Sequence, residues 1–326
     1  MSKQEAKIIR WGILGLGHIA QKFAQDIAAV YGAELYAVAS RSLQKASSFA
    51  HKFDVSKYYD SYDLLVKDPL VDAIYIATPH SFHKEHSIFC LKHKKAVLCE
   101  KPFAMNLEEV EEMIAVSQNE NTLLMEALWT AFLPHYQYVI NFLKNETFGK
   151  VILLEADFGF QSTHSTESRV LKKELGGGSL LDIGIYPVFV ALSSLGNPKT
   201  IETTATFFDN GADSSCHIIF NYNDAKAILR STFLEKTPTE AIFTCERGVV
   251  KVNTQFHQPT TVTLIHNGKE ERIDFSAKTF GYNYEIEHFN QLLRDNKKES
   301  ELMSFSFSRD LIATLDRIRK KINLNY

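Results

Sequence analysis

The stretch IIRWGILGLGHIA at residues 8–20 decides the fold of the first part of this chain. Its apolar beginning predicts a buried strand over 8–14, and the residues after Gly17 predict a helix. Gly15 permits a tight turn between the two, Gly17 lets a ligand approach the backbone, and Ala20 is small enough for the helix to pack on the strand. A strand, a Gly-x-Gly-x-x-Ala turn and a helix in this order predict a binding site for the pyrophosphate of a dinucleotide. The alternative interpretation is a tight turn between a strand and a helix that binds no ligand.

Strands and helices alternate over the first 125 residues. Each predicted strand is a short apolar run, and each predicted helix carries apolar residues at helical spacing. Such alternation requires parallel strands joined by crossover helices, so the sequence predicts an α/β fold with a doubly wound parallel sheet of the Rossmann type. The predicted strands are residues 8–14, 34–39, 71–77, 96–99 and 122–125, and the predicted helices are 18–31, 43–53, 82–92 and 107–118.

Strand-like runs separated by short polar turns dominate the second half of the chain, which predicts an antiparallel sheet. We therefore expect two domains: a dinucleotide-binding Rossmann domain over 1–126, and an α+β domain over 127–326. The second domain would hold a large, mostly antiparallel open sheet for substrate binding and oligomerisation. Its C-terminal helix would pack either on this sheet or on the first domain. Its predicted strands are 151–160, 201–208, 214–222, 225–234, 241–245, 249–252, 261–265 and 272–275, and its predicted helices are 179–195, 282–294 and 305–322.

The composition is that of an ordinary globular protein, with 326 residues, 45% hydrophobic, 23% charged and a net charge of −3. Since no basic stripe is present, nucleic acid is not expected as a partner. No apolar run approaches the roughly 18 residues that a membrane span requires, so no membrane is expected either. The four cysteines form no Cys-x-x-Cys pair, and the first residues lead into a strand rather than a signal peptide. We therefore expect a cytoplasmic protein with reduced thiols and no metal site.

The end of the second predicted strand indicates which dinucleotide binds. Sites that prefer NAD carry a carboxylate about twenty positions after the glycine turn, where it binds the ribose diol. Here the strand ends in Ser40 and Arg41, without a carboxylate. Ser40 can donate a hydrogen bond to a phosphate, and Arg41 can stack on adenine or pair with a 2′-phosphate. The sequence therefore favours NADP over NAD, and a solvated Arg41 at a helix start is the alternative.

A lysine, a tyrosine and an aspartate are the candidates for the chemistry. Lys101 follows the apolar strand 96–99, and ligands of doubly wound sheets bind beyond the carboxyl ends of the strands. Asp182 and Tyr186 lie four residues apart and share one face if the segment is helical. A cation beside a phenol favours the phenolate, which can take a proton from a substrate hydroxyl as hydride leaves the same carbon. Asp182 would then hold a neighbouring hydroxyl; a purely structural role is the alternative for all three.

Three histidines, His80, His83 and His86, repeat at a spacing of three. Successive pairs could meet on a helix, but a zinc site needs three or four converging ligands, and no further cluster accompanies them. We expect them to lie at a helix start and to line the cofactor cleft. The chain has neither a Gly-x-Ser-x-Gly elbow nor a P-loop, so serine hydrolysis and triphosphate chemistry are not predicted.

Four motifs resemble those of the glucose–fructose oxidoreductase, inositol dehydrogenase and rhizopine catabolism (Gfo/Idh/MocA) family, in that family's order and spacing. They are GLGHIA at 15–20, ATPHSFH at 77–83, VLCEKP at 97–102 and GGSLLDIGIY at 177–186. The resemblance spans the whole chain, and the Glu-Lys-Pro motif after an apolar strand is fairly specific. Within the family, MEALWTAFLP at 125–134 and the tyrosine at 186 are similar to the dimeric dihydrodiol dehydrogenases, which also act as NADP-dependent D-xylose dehydrogenases.

The resemblance implies a role for each motif. Lys101 and Tyr186 would be the catalytic pair, Asp182 would lie on the substrate side, and Trp129 would lie near nicotinamide and substrate. It also implies a homodimer or higher homo-oligomer that pairs through the C-terminal sheet. The further residues expected to bind or line the cofactor site are Gly15, Gly17, His18, Ile19, Ala20, Ser40, Arg41, Thr78, Pro79, His80, His83 and Glu100.

Together these observations predict an NADP-dependent dehydrogenase that moves a hydride between nicotinamide and a hydroxyl-bearing carbon of a sugar, polyol or trans-dihydrodiol. A non-catalytic, NADP-sensing regulatory or binding protein of the same fold is the alternative. An oxidoreductase that keeps its NADP and cycles between two sugars also fits the motifs. The loops 161–173 and 276–284 are expected to select the substrate, which the sequence does not identify.

Overall fold

The computed structural model describes residues 7–163, 165 and 168–326. Residues 1–6 lie outside the described residues, as do positions 164, 166 and 167 of the predicted substrate loop. The chain forms two compact units, Met1–Trp129 with Lys278–Ser308 and Thr130–Ala277 with Arg309–Tyr326. This differs from the predicted single boundary after residue 126, because residues 278–308 belong with the first unit.

The first unit contains the doubly wound sheet that the alternating pattern predicts. Its strands are β1 (Ile9–Leu14), β2 (Ala33–Ala39), β3 (Lys57–Tyr59), β4 (Ala73–Ile76), β5 (Ala96–Glu100) and β6 (Leu124–Ala127). Its first five helices are α1 (His18–Ile27), α2 (Leu43–Phe53), α3 (Tyr62–Lys67), α4 (His83–Lys92) and α5 (Leu107–Glu120). The strands pair in parallel in the order β3-β2-β1-β4-β5-β6. The order reverses between β1 and β4, and ligands of such sheets bind beyond the carboxyl ends of strands at this point.

The second unit is built on the mostly antiparallel sheet that the sequence predicts. Two of its helices are α6 (Pro134–Lys144) and α7 (Ile185–Leu195), and residues 309–321 of a third helix at the end of the chain also belong to it. Its strands are β7 (Val151–Gly159), β8 (Thr200–Phe207), β9 (Asp213–Asn221), β10 (Lys226–Thr232), β11 (Ala241–Cys245), β12 (Gly248–Val252), β13 (Val262–His266) and β14 (Lys269–Ile273). Within the described residues the order is β14-β13-β12-β11-β7-β10-β9-β8, and β7 and β10 pair in parallel while the other pairs are antiparallel.

Two helices follow the second sheet in the chain, α8 (Tyr282–Arg294) and α9 (Phe305–Lys321). Helix α8 belongs to the first unit because Trp11 of β1 contacts it through both a hydrogen bond and a ring. The buried Trp11 Nε1 donates to Asn290 Oδ1 at 3.0 Å, and its ring lies 4.9 Å from that of Phe289. Asp26 of α1 accepts the backbone N–H of Tyr282 at 2.8 Å and so bonds the first turn of α8. The residues in each of these two hydrogen bonds are more than 250 positions apart, so no local sequence pattern predicts the contacts.

The segment that carries Asp182 and Tyr186 lies deep in the second unit. Lys173–Leu195 is long and apolar enough to cross a membrane by length and composition, but 89% of its most apolar window is buried inside the fold, as in a core helix. The expectation that no such run exists is therefore wrong for this segment. Asp182 is the one charged residue in 175–195 and does not offset the apolar residues around it.

The helical segment begins with a π-helical turn, Leu180–Gly184, and continues as α7. Pro187 lies in the first turn of α7, where a missing N–H is tolerated. The geometry changes from π to α at Ile185, two residues before Pro187. Asp182 lies in the π turn and Tyr186 in the first α turn, and π turns inside helices are frequent at functional sites.

Asp213, at the start of β9, holds the beginning of this segment. Its Oδ2 accepts the Ser179 hydroxyl at 2.7 Å and the Leu180 backbone N–H at 2.6 Å. Complete burial raises the pKa of Asp213 to about 6, although both bonds act to lower it. Gly178, with φ of +133°, permits this approach, since a Cβ there would lie 2.1 Å from Asp213 Oδ1. A buried carboxyl thus sets where the helix bearing Tyr186 begins.

Candidate active site

The glycine turn after β1 has the geometry that a bound pyrophosphate requires. Gly15 has a φ of +94°, and a Cβ there would lie 2.9 Å from the backbone carbonyl of Ala77, so only glycine fits. Gly17 has open space beside it, with no heavy atom within 4 Å of an added Cβ among the described residues. Helix α1 begins at His18 with no side chain of the described residues bonded to its cap. Its first N–H groups therefore remain available to an anion.

The remaining residues of the turn lie in the first turn of α1. Ile19 is partly exposed in the first turn of α1. Ala20 is completely buried against the sheet, which agrees with its predicted role in helix packing.

Ser40 and Arg41 lie just past the carboxyl end of β2, and Arg41 borders a cavity of about 410 Å³. The Ser40 hydroxyl accepts the Ser42 backbone N–H at 3.3 Å and orients this turn. The cavity is lined by Arg41, Asp60, Ser61, Tyr62, Asp63, Glu85, His86 and Phe89. A guanidinium next to aromatic side chains suits an adenine ring and a 2′-phosphate.

His86 and Tyr62 are cavity residues that the sequence did not assign to the cofactor. The His86 ring lies 5.1 Å from that of Tyr62, and its Nδ1 lies 3.1 Å from the Thr78 hydroxyl. Burial, and secondarily the Arg41 charge, lowers the pKa of His86 to about 4. The imidazole is therefore neutral near pH 7, and it offers a flat face without repelling Arg41.

The predicted catalytic Lys101 directly follows β5, in a segment held by three side chains. The Lys101 backbone N–H donates to Glu100 Oε2 at 3.2 Å, and the Phe103 N–H donates to Glu126 Oε1 at 3.1 Å. The carbonyl of Pro102, which is joined to Lys101 by a cis peptide, lies 2.8 Å from Nδ1 of His83.

The loop after β4 lies against the same segment. Thr78 and Pro79 lead into a short 3₁₀ turn at His80, and α4 begins at His83. Nε2 of His83 lies 2.9 Å from the Thr78 carbonyl. His80 is buried, with its ring centre 5.7 Å from that of His83. The structure thus brings the predicted residues of the two loops together, and His83 contacts both.

Acidic side chains lie close to this segment, and the sequence did not single out the two that are fully buried, Glu126 and Glu285. Glu100 Oε1 accepts a short hydrogen bond from the hydroxyl of the buried Tyr75. Glu285, completely buried in the first turn of α8, has no hydrogen-bond partner for either carboxyl oxygen among the described residues. Its pKa is raised well above the ordinary value by burial first, and then by the charges of Glu100 and Asp26.

Trp129, predicted to lie near nicotinamide and substrate, ends the first of the two chain segments that form the first unit. It stacks on Tyr282 with ring centres 4.5 Å apart and is almost completely buried. The stack fixes the plane of the indole and leaves little of it accessible.

In the second unit, Tyr186 lies against aromatic rings, whereas Asp182 lies beside a guanidinium group. The Tyr186 ring lies 5.1 Å from that of His257 and 5.7 Å from that of Phe158, and these two rings stack at 4.2 Å. Asp182 Oδ1 lies 3.7 Å from the Arg169 guanidinium. The sequence missed Phe158, His257 and Arg169, because a lone residue in a strand or loop gives no signal of what it contacts.

Comparison with known proteins agrees with this geometry. Residues 9–128 match the model of an oxidoreductase family with an NAD-binding Rossmann fold, and residues 136–251 match the GFO/IDH/MocA C-terminal domain. The chain is 34% identical to trans-1,2-dihydrobenzene-1,2-diol dehydrogenase of Xenopus tropicalis, covering 97% of this chain and 99% of that protein. It is 31% identical to scyllo-inositol 2-dehydrogenase (NADP(+)) of Bacillus subtilis (strain 168), covering 98% of both. A 3-ketoreductase from Actinomadura kijaniata, solved with NADP and TDP-benzene, shares the fold with a TM-score of 0.85 at 24% identity, covering 96% of this chain and 98% of that one.

The titration of Glu126 gives a testable consequence for stability. Burial raises its pKa to about 7, against the lowering effect of its bonds to Ser308 and Phe103. The folded protein therefore retains a proton that the unfolded chain loses near pH 4.5, and stability falls as pH rises from about 4.5 to 7. We expect Glu126→Gln to remove this loss, so that between pH 5 and 8 the variant gains about 3 kcal/mol relative to wild type.

Denaturant unfolding at a series of pH values measures this difference. Glu108→Gln, on the exposed face of α5, is the matched control and should follow the wild-type curve. A Glu126→Gln curve that stays parallel to wild type would show that Glu126 is already ionised in the folded protein at low pH.

Proposed function

Because this chain belongs to the GFO/IDH/MocA family of oxidoreductases, we propose that it is an NADP-dependent dehydrogenase of a sugar, polyol or trans-dihydrodiol. The observation that carries the proposal is Lys101, held immediately after β5 at the carboxyl edge of the dinucleotide-binding sheet. Relatives named for dihydrodiol and inositol oxidation support the substrate class.

The residues of the first unit fit the cofactor. The Gly15 turn leaves room that a Cβ would fill, α1 presents backbone N–H groups, and Arg41 borders a cavity large enough for adenine. With Ser40 in place of a carboxylate after β2, the ribose end suits a 2′-phosphate. When bound, the nicotinamide supplies the acceptor or donor of hydride.

Side chains of this protein transfer the proton. We assign Tyr186 as the acid/base: its phenolate takes the proton of the substrate hydroxyl in oxidation and its phenol returns it in reduction. The Lys101 ammonium favours the phenolate, since a cation stabilises the charged form. Asp182 accepts a hydrogen bond from a second hydroxyl and so orients the reacting carbon. Trp129 borders the reacting groups and helps to exclude water.

Assembly and location are proposed on separate grounds. Ile219, Ile228 and Ile242 lie in one row across β9, β10 and β11, with Glu155 of β7 between the last two. Ile228 is 40% exposed, and the other two isoleucines are half-buried. An apolar row on the open face of a sheet favours burial against a second copy.

All four cysteines are free, which agrees with a cytoplasmic location.

The catalytic assignment predicts that Lys101→Met and Tyr186→Phe each lower kcat for NADP reduction by roughly 10²- to 10⁴-fold, because each removes a group that assists proton transfer. Absorbance at the NADPH band, over a panel of aldoses, inositols and a trans-dihydrodiol, measures the rate. Lys45→Met and Tyr31→Phe, at exposed positions, are matched controls and should keep wild-type rates. Tight NADPH binding by wild type without turnover on any panel member, in either direction, would favour the sensor instead.

Arg41→Ala should weaken NADPH binding by about ten- to a hundredfold, the effect of losing charge-assisted bonds of about 1.5–3 kcal/mol. The dissociation constant for NADH should change little, since NADH has no 2′-phosphate. Fluorescence titration measures both constants. Lys45→Ala, an exposed charge on α2, controls for general electrostatics. Equal losses for NADPH and NADH would contradict the assignment of Arg41 to the 2′-phosphate.

The isoleucine row predicts a dimer in solution. Light scattering should give twice the mass of one chain, and Ile228→Glu should shift the mass towards that of one chain by placing a charge in the apolar row. Lys45→Glu, at an exposed position on α2 of the first unit, is the control. A wild-type mass of a single chain would refute pairing through this face.

A further inference from the structure

His83 joins two loops through both of its ring nitrogens. Nδ1 lies 2.8 Å from the carbonyl oxygen of Pro102, and Nε2 lies 2.9 Å from the carbonyl oxygen of Thr78. The first carbonyl follows β5 and the second follows β4, so one side chain connects the ends of neighbouring strands. The ring is completely buried.

The chemistry of these two contacts restricts the state of the ring. A carbonyl oxygen only accepts hydrogen bonds, so each contact requires an N–H on the ring. A neutral imidazole has one N–H, and its second nitrogen would turn a lone pair towards a carbonyl lone pair at under 3 Å. An imidazolium has two N–H groups and satisfies both carbonyls. The geometry therefore favours the protonated ring over either neutral tautomer, despite the cost of burying a cation.

The surroundings offset part of that cost. Both carbonyl dipoles direct their negative ends at the ring. The titratable groups around the two loops include His80, in ring contact with His83, and Glu100, Lys101 and Glu126 on β5, the following segment and β6. Lys84, Glu85 and His86 follow on α4, where Nδ1 of His86 lies 3.1 Å from the Thr78 hydroxyl, and Cys99 lies on β5. Glu100 and Glu126 bond the backbone of Lys101 and Phe103 on either side of the Pro102 carbonyl. The cationic ring and two acids thus hold successive residues of one segment.

We propose that His83 is an imidazolium clamp that positions Lys101 by tying the Pro102 carbonyl to the Thr78 carbonyl. This deepens the proposed function and rests on it, because Lys101 must be catalytic for its position to matter to turnover. It differs from the role expected from the sequence, in which His83 only lines the cofactor cleft. As a positioning residue it acts through the loop backbone and touches neither the reacting hydroxyl nor its proton.

The protonation state of His83 is read directly by nuclear magnetic resonance of the full-length protein with ¹⁵N-labelled histidine. His83→Gln identifies the His83 signals among those of the 12 histidines. At neutral pH we expect one-bond N–H couplings on both ring nitrogens of His83. A ring nitrogen without a proton would overturn the clamp. If His83→Gln folds poorly, His83→Asn can identify the same signals. The protonation state itself is read from the wild-type spectrum.

The positioning effect is read by two measurements on His83→Gln, whose single side-chain amide can reach only one of the two carbonyls. Amide hydrogen exchange at Lys101 and Phe103 should become faster than in wild type. The kcat should fall by roughly ten- to a hundredfold, as for other small misplacements of a catalytic group, with a much smaller change in the dissociation constant of NADPH. His51→Gln, exposed on α2, is the matched control and should change neither.

The outcomes separate this proposal from the proposed function. Unchanged exchange at Lys101 and Phe103 overturns the positioning role, as does a loss confined to NADPH affinity with kcat intact. If wild type turns over no substrate while the ring is doubly protonated and exchange responds to His83→Gln, the clamp stands and the dehydrogenase assignment fails.

Discussion

The candidate site residues of the first unit depend on how the backbone of the segment after β5 forms its hydrogen bonds. Beyond the end of a strand, no neighbouring strand offers partners, and buried polar backbone groups left without bonds are costly. Here Glu100, His83 and Glu126 supply the bonds to residues 101, 102 and 103 in turn. These three side chains replace the strand partners that the segment lacks, so the backbone is held at the residue that carries the ammonium.

The buried acids of the first unit have a cost that points to function. Glu126 and Glu285 are both completely shielded from water, and burial raises the pKa of each. An acid that retains its proton in the folded state lowers stability at neutral pH, and an apolar side chain of similar size would not. Both acids are affected by the charge of Glu100, which is bonded to Lys101. Perturbed groups gathered around one lysine are typical of an active site rather than of a stabilising core.

Local signals were enough to predict the framework of both units. The glycine turn, the alternation of strands and helices and the run of short strands each depend on neighbours in sequence, and each appears in the structure. The position of α8 could not be predicted in this way, because Trp11 and Asn290 meet across 279 positions. The motif at 97–102 predicted Lys101 as a site residue, but nothing in it indicates that Glu126 bonds Phe103. The spacing of His80, His83 and His86 suggested a shared cleft. It could not show that His83 bridges two carbonyls, since that depends on where two loops end.

On the proposed roles, residues of the second unit would restrict the substrates more closely than membership of the family does. Tyr186 lies against the rings of Phe158 and His257, and such rings favour the C–H face of a cyclic substrate. Asp182 lies in the preceding π turn with most of its side chain buried, beside Arg169. On the roles proposed here, a substrate with a single hydroxyl would leave the partly buried Asp182 without its substrate hydrogen bond, and sites built around such bonds reject analogues that lack them. A ring with two adjacent hydroxyls satisfies both residues, with one hydroxyl at Tyr186 and its neighbour at Asp182. That arrangement is common to pyranose sugars, inositols and trans-dihydrodiols, so on the proposed roles these residues would select the pattern of hydroxyls rather than the identity of the ring.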